Sequence, residues 1–516
     1  MGDLGFWRLA DADRERLALV GPDGTERRVG ELVDNTNQFA NAFRERGLDA
    51  GDAVAVLLPN SIELMEIYLG ALQVGLYLTP VNFHLFGPEV AYILGDTEAK
   101  VFVAHERFAE VARAATDEAG FPAEASFSVG TIEGFRAIAE LTEGRPTTAP
   151  AARTTGAAMH YTSGTTGRPK GVRRGLVEID PSDMGELMTM LPGLFGVGAR
   201  GDHVHLTVSP LYHTAVLMWT GCALHLGHSV VLMDKWEAEE TLRLIDRNRV
   251  TYSHMVPTQF VRLLDLPADT RDRYDVSSLS HMIHGAAPCP HEIKRQMIGW
   301  WGDTIWEYYA ATEGGGTIIS AKEWLDKPGS VGLPWPGSEI RIYDDDRNRL
   351  GPGQIGTVYL SLSLSDFEYK GDRAKTDANR VEGFFTVGDL GELDEDGYLF
   401  LRDRKSDMII SGGVNIYPAE IEGELINHPQ VADVAVFGIP HDDWGEAIKA
   451  VVEPPQGVDP SEETATAILE WAATRLAKFK LPRSVDFVEV LPREPNGKLI
   501  KRKLRDPYWE GVDRQI

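Results

Sequence analysis

Cysteine is almost absent. Cys222 and Cys289 are the only two in 516 residues, so neither a disulfide framework nor a cysteine-rich zinc or iron–sulfur site fits. Positive charge is short as well: 51 Lys and Arg stand against 78 Asp and Glu, a net charge of −27 at pH 7. That balance disfavours non-specific binding to nucleic acid or to an anionic membrane. Long hydrophobic runs are missing, and the most apolar window, from Ile67 to Val81, is too short to span a bilayer. The opening Met1-Gly2-Asp3-Leu4-Gly5-Phe6 has no basic segment leading into an apolar one, and no Ser or Thr where a myristoylation signal needs it. No secretory or lipid signal is read, and a cytoplasmic location is expected. Internal repeats and low-complexity tracts are missing too.

What is present is an ordinary globular composition, 43% hydrophobic and 25% charged, over a length that suggests roughly two to four domains. Apolar positions three and four apart from Gly30 to Arg46 predict a helix, Ala53 to Leu58 a buried strand, and Pro59-Asn60-Ser61 a turn with an N-cap. A second round follows, with a strand at Ser229–Met233 and a helix at Ala238–Asn248. Such alternation predicts an α/β protein with parallel sheets covered on both faces. From about Val331 short strands separated by Gly, Pro and Asp predict a β-rich subdomain. Between Trp471 and Arg505 ten Lys or Arg face three Asp or Glu, a basic tail that taken alone reads as a solvated face.

The most informative segment runs from Tyr161 to Gly171 as YTSGTTGRPKG. Glycines let backbone N–H groups turn inward around an anion, hydroxyls add donors, and Lys170 adds a full charge. This is the chemistry of a polyphosphate cradle. It is not a P-loop, because Lys170 is followed by Gly171 instead of Ser or Thr.

The segment resembles the signature loop of the adenylate-forming superfamily, which includes acyl- and aryl-CoA synthetases, peptide-synthetase adenylation domains and firefly-type luciferases. Further motifs follow in the family's order. Tyr309-Ala310-Ala311-Thr312-Glu313 is similar to Tyr-Gly-x-Thr-Glu, and Val387-Gly388-Asp389 to Thr-Gly-Asp. Asp403-Arg404-Lys405-Ser406-Asp407 stands where the interdomain hinge belongs. Ser411-Gly412-Gly413 through Glu422 comes next, and Pro495-Asn496-Gly497-Lys498 is similar to the C-terminal lysine motif. The resemblance spans nearly the whole chain. It implies a large N-terminal domain over 1–404 built of two βαβ-type sheet subdomains and a β-rich subdomain, a hinge at 405–407, and a small mobile α+β domain over 408–516.

The implied reaction joins a carboxylate to the α-phosphate of ATP, releases pyrophosphate, and passes the acyl group to CoA. Two anions meet, so cations and aligned donors should dominate the site. The resemblance implies that Thr162, Ser163, Gly164, Thr165, Thr166, Gly167 and Lys170 hold the β- and γ-phosphates. It implies that Glu313, with Thr166 nearby, holds Mg2+, and that Lys498 reaches between carboxylate and α-phosphate. Tyr309 would stack on adenine against Gly285-Ala286-Ala287, with Thr312 beside them, and Asp389 and Arg404 would take the ribose. Alone, Asp389 reads as a turn residue or helix cap; only the motif frame promotes it. His213 matches a gate beside the acyl pocket. Ser406 is the expected pivot, and Ser411, Gly412 and Gly413 would line a pantetheine tunnel.

Departures from the family pattern are Ala310 for Gly, Val387 for Thr, Lys501 for Arg and Ser406 for Asp or Lys. None removes a charge the reaction needs. The pocket is expected to draw on His213, Trp219, His284, Trp306, Tyr308 and Gly314, where apolar walls and missing side-chain volume suit a large group. No cation stands out for a second carboxylate. A hydrophobic monocarboxylic acid is therefore expected: a medium- or long-chain fatty acid, or a bulky terpenoid, sterol-like or aryl acid. The basic tail would attract the phosphates of CoA. Two other readings are a stand-alone adenylating enzyme that hands its product to a carrier protein, and a non-catalytic relative. His203 and His205, or His281 and His284, lack a metal-site frame and read as strand and core histidines.

Overall fold

The computed structural model describes residues 3–162, 170–199, 201–311, 315–362, 367–369, 379–441, 443–493 and 499–510, with backbone alone at 162, 170, 362 and 367–369. The chain is α/β and forms two compact units, one from 1–254, 267–282 and 365–378, the other from 255–266, 283–364 and 379–516. Among the described residues no helix is long and apolar enough to cross a membrane.

In the first unit, six parallel strands lie in the order Arg136–Ala137, Ser126–Val129, Val101–His105, Ala53–Leu57, Tyr77–Pro80, Ala157–Ala158. Ala53–Leu57 is buried along its whole length, as a central parallel strand with both faces covered must be. The expected helix is Val29–Glu45, opened by the Arg28 N–H donating to Glu31. Ser61 caps the next helix, Ile62–Leu72, by accepting from Leu64 N. A second sheet sets Tyr252–Met255, Val204–Thr207, Ser229–Leu232 and Leu17–Val20 parallel, edged by antiparallel Glu26–Arg28. His160–Thr162 pairs antiparallel with Lys170–Arg174, Thr162 opposite Lys170, so the two ends of the cradle segment are joined by a ladder.

The second unit carries Ile305–Ala310 antiparallel to Gly316–Ser320, and the β-rich sheet expected after Val331. In that sheet Ser338–Tyr343 pairs with Gly356–Leu362, and Asp389–Leu393 with Leu399–Arg404. Its C-terminal part is a five-stranded sheet in which the central strand Gly445–Glu453 pairs along its whole length with the edge strand Asp433–His441. The helices Pro418–Leu425 and Glu462–Ala473 pack Ile421, Leu425, Ile468 and Ala472 on Val434, Val436, Ile448 and Val452.

Candidate functional site

In the second unit the nucleoside residues meet on one hairpin. Asp389 and Arg404 are cross-strand partners, which places the guanidinium beside the carboxylate, Nε to Oδ1 3.5 Å. Tyr309, from the strand Ile305–Ala310 of another sheet, donates its phenol to the other oxygen, Oδ2, at 2.6 Å. Gly388 sits at φ +88°, a left-handed turn that a side chain would strain, and its carbonyl accepts from Lys405 N at 2.8 Å. One carboxylate thus ties the expected adenine residue to the expected ribose residue.

The opposite wall is built by close approach. A Cβ on Gly285 would lie 2.9 Å from both the Tyr308 ring and its carbonyl, so only glycine fits there. Ala286 follows at φ +69° and is exposed, a non-glycine held in the left-handed region. Bare backbone beside Tyr309 suits a planar base, and a carboxylate with neighbouring donors suits a sugar; the described residues therefore fit the nucleoside half of ATP.

Beneath that wall lies a buried ion pair that sequence reasoning missed. Lys294, on the helix His291–Trp301, bonds Glu307, with 0% and 6% of each residue exposed. The ammonium also lies 4.9 Å from the centre of the Trp324 ring. His284 Nε2 is 4.0 Å from the same carboxylate, and the His284 ring packs edge-on against Phe260. His284 is wholly buried, Tyr308 is buried, and Trp306 half-buried. No local signal announces such a pair; the partners are thirteen residues apart on different elements.

In the first unit, His213 opens the helix Thr214–Leu226. Burial, with His160, His254 and His84 nearby, pushes its pKa down to about 3, so the ring is neutral at pH 7. His160 places Nδ1 3.1 Å from the Tyr212 carbonyl; a carbonyl only accepts, so that nitrogen carries the proton. Trp219 is 1% exposed and lies between Phe195, edge-on at 5.1 Å, and His254, parallel at 6.4 Å. Asn60, read from sequence only as a turn residue, fixes the segment leading to His213. Its amide donates to the Ser209 and Met233 carbonyls at 2.9 and 2.8 Å, and its oxygen accepts from Leu211 N at 2.8 Å.

In the C-terminal part, Ser411 and Val414 pair across a turn made by Gly412 and Gly413, both at positive φ. Gly412 N donates to the Trp444 carbonyl at 2.9 Å. Trp444 is partly exposed, stacked on His441 at 4.4 Å and covered by the Arg483 guanidinium at 4.3 Å. The basic tail is only in part a solvated face. Lys480 pairs with Glu420 at 2.5 Å, Arg493 with Asp433 at 2.6 Å and Lys501 with Glu422 at 2.8 Å.

Ser163, Gly164, Thr165, Thr166, Gly167, Thr312, Glu313, Gly314 and Lys498 lie outside the described residues, as do the side chains of Thr162 and Lys170. The expected Mg2+ donors, the Glu313 carboxylate and the Thr166 hydroxyl, are all-oxygen and match what that hard cation takes.

A nucleoside-shaped arrangement, a ladder closing a hydroxyl- and glycine-rich loop, and a glycine turn in the C-terminal sheet together define an adenylate-forming enzyme. The chain belongs to the AMP-binding enzymes: residues 6–363 match the family described as AMP-binding enzyme, and 420–498 the AMP-binding enzyme C-terminal domain. The fatty acid–[acyl-carrier-protein] ligase ScoC of Streptomyces coeruleorubidus is 32% identical over 495 residues, 94% of this chain and 92% of that one. The long-chain-fatty-acid–CoA ligase FadD13 of Mycobacterium tuberculosis is 32% identical over 483 residues, 93% and 92% of the two chains. The crystal structure of ATP-bound MatB from Rhodopseudomonas palustris superposes with a TM-score of 0.82 at 30% identity, covering 98% of this chain and 99% of that one. The protein is an ATP-dependent, AMP-forming acid–thiol ligase, and ATP with Mg2+, and coenzyme A, are the cofactors of its class.

Proposed function

We propose that the protein is an acyl-CoA synthetase for a hydrophobic monocarboxylic acid, a medium- or long-chain fatty acid or a bulky terpenoid, sterol-like or aryl acid. An acid oxygen attacks the α-phosphorus of ATP as the bond to pyrophosphate breaks, giving acyl-AMP. The sulfur of CoA then attacks the acyl carbon, AMP leaves with the anhydride oxygen, and the thiol proton passes to solvent. Thr162 to Gly167 and Lys170 hold the outgoing phosphates, and Lys498 bridges carboxylate and α-phosphate. Tyr309 stacks on adenine against Gly285–Ala287, next to Thr312, while Asp389 and Arg404 hold the ribose. Glu313, with Thr166, would hold Mg2+, which supplies positive charge against the phosphates. His213, Trp219, His284, Trp306, Tyr308 and Gly314 shape the acyl pocket, Ser406 is the pivot, and Ser411–Gly413 face the pantetheine.

The observation that carries the choice of acid is the state of the histidines around His213. His160 and His254, at about 4, and His213, at about 3, are held neutral by burial. A second carboxylate would find no cation among them. An acid panel assayed for pyrophosphate release, and then for CoA thioester, tests this. Fatty or polycyclic acids should turn over, and Lys498→Ala should lose about 2.7–4 kcal/mol of transition-state stabilisation, roughly a hundred- to thousandfold in rate. Turnover of acetate alone would refute the acid assignment.

A second acceptor, a carrier protein, is favoured by the relative named as an acyl-carrier-protein ligase and by the charge the tail already spends on its own carboxylates. Acyl-AMP that accumulates despite added CoA, and clears when a carrier protein is supplied, would select it.

A further inference from the structure

The strand Leu399–Arg404 ends with two neighbouring residues facing opposite ways. Arg404 turns to Asp389. Asp403 turns to the C-terminal part, where its Oδ2 accepts from Ala419 N at 2.8 Å. Ala419 lies in the first turn of the helix Pro418–Leu425, whose N-cap Tyr417 makes no side-chain cap. A carboxylate from before the expected pivot therefore caps a helix after it, satisfying an amide that the helix leaves without an internal partner.

The same carboxylate belongs to a cluster of charges. Lys501, three positions beyond Lys498, bonds Glu422 of that helix at 2.8 Å and interacts electrostatically with Asp403 and Asp407. Arg505, one turn further, donates to the Ser406 carbonyl at 3.2 Å and lies 3.6 Å from Asp407. The segment between is wound tight: Asp407 N and Met408 N both donate to the Arg404 carbonyl, at 3.0 and 3.1 Å. Any rotation about Ser406 must uncap the helix and part Asp403 from Lys501, exposing charges that now compensate one another.

We propose that Asp403 is a positioning residue, the fixed half of an electrostatic latch whose moving half is Lys501 with the Pro418–Leu425 helix, and that this latch sets how readily the C-terminal domain passes between its adenylating and thioester-forming orientations. The proposal rests on the two-step reading of function above. Arg404 and Asp403 being adjacent, the state of the nucleotide at one is transmitted to the other through a single peptide unit.

The test separates the two half-reactions in the full-length enzyme, with dodecanoic and cinnamic acids as probes. Acyl-AMP formation is timed without CoA, and thioester formation is timed on adding CoA to preformed enzyme-bound acyl-AMP. Asp403→Asn keeps an oxygen for Ala419 N and removes only the charge. It should change the ratio of the two rates at least tenfold while the KM for ATP stays within twofold, and Asp403→Glu should restore the ratio to within about threefold of wild type. Arg505→Gln, which loosens the partly exposed half of the cluster, should skew the ratio in the same direction and serves if the Asn variant fails to fold. Equal loss of both half-reactions, or an unchanged ratio, overturns the latch. Absence of acyl-AMP from the wild type would instead sink the reading of function, and the latch with it.

Discussion

The interior around His213 and the floor beneath the nucleoside wall solve one problem in opposite ways. Both bury titratable side chains. In the first unit burial pushes His160, His225 and His254 down to about 4, and His205 and His213 to about 3, so five rings are carried as neutral groups. In the second, Lys294 and Glu307 are as deeply buried yet form an ion pair, with Trp324 closing over the ammonium. The difference lies in what faces each group. Around the histidines burial is the largest influence and disfavours the charged ring, whereas Lys294 meets the carboxylate of Glu307. The first region gains a wall indifferent to charge, and the second gains a rigid strut.

Acid should break this comparison most severely. The five histidines have folded pKa values below the ordinary 6.5, so the unfolded chain binds more protons between that value and about 3–4. Their contribution is complete above pH 6.5 and lost as pH falls through the window, each adding a slope of up to about 1.4 kcal/mol per pH unit. Glu66, raised by burial to about 7, pulls the other way, as do Asp265, Asp403 and Glu422, also raised by burial, but the histidines outnumber them. Denaturant unfolding at pH 7, 6 and 5 should show a steep decline; a flat profile would mean the rings titrate in the fold as they do in the unfolded chain.

Removing one half of the strut comes next. Lys294→Met leaves a buried carboxylate unpaired and should cost about 3–5 kcal/mol, while adding Glu307→Leu should recover most of it. If the double variant is no more stable than the single, Lys294 and Glu307 do not compensate one another. Asn60→Ala removes a hydrogen bond from each of two carbonyls and an N–H and should cost about 1–3 kcal/mol, with a KM for the acid that rises as the His213 segment loosens. The smallest effect is expected at His205, whose Nδ1 is buried without a partner among the described residues. His205→Phe should change stability by less than about 1.5 kcal/mol and flatten the acid profile.

Much of this was readable in advance because it is local. The buried run at Ala53–Leu57, the cap at Ser61 and the helix Ala238–Asn248 depend on neighbours a few residues away, and the structure has them where periodicity and capping put them. The motif residues Tyr309, Asp389 and Arg404 were named from resemblance, and they meet. Asn60 reads in sequence only as a turn residue, Asp403 only as part of the hinge motif and Lys294 not at all, because each acts on a segment far along the chain or on another element: Asn60 reaches 149 and 173 positions ahead. The basic tail was misjudged in part for the same reason, its counter-ions Asp433, Glu420 and Glu422 lying outside the window in which charge was counted. The compact units also interleave, taking 255–266 and 283–364 together with 379–516. Packing defines such units and motion defines a hinge, so the pivot at 405–407 stays a proposal.

The phenol of Tyr309 already occupies one oxygen of Asp389. On the proposed reading, a sugar arriving there trades one partner for another instead of filling a vacancy, and the net gain at that end of the nucleotide is small. On that reading a loose grip on the nucleoside would favour the departure of spent AMP, and the same bond that weakens the hold would speed turnover.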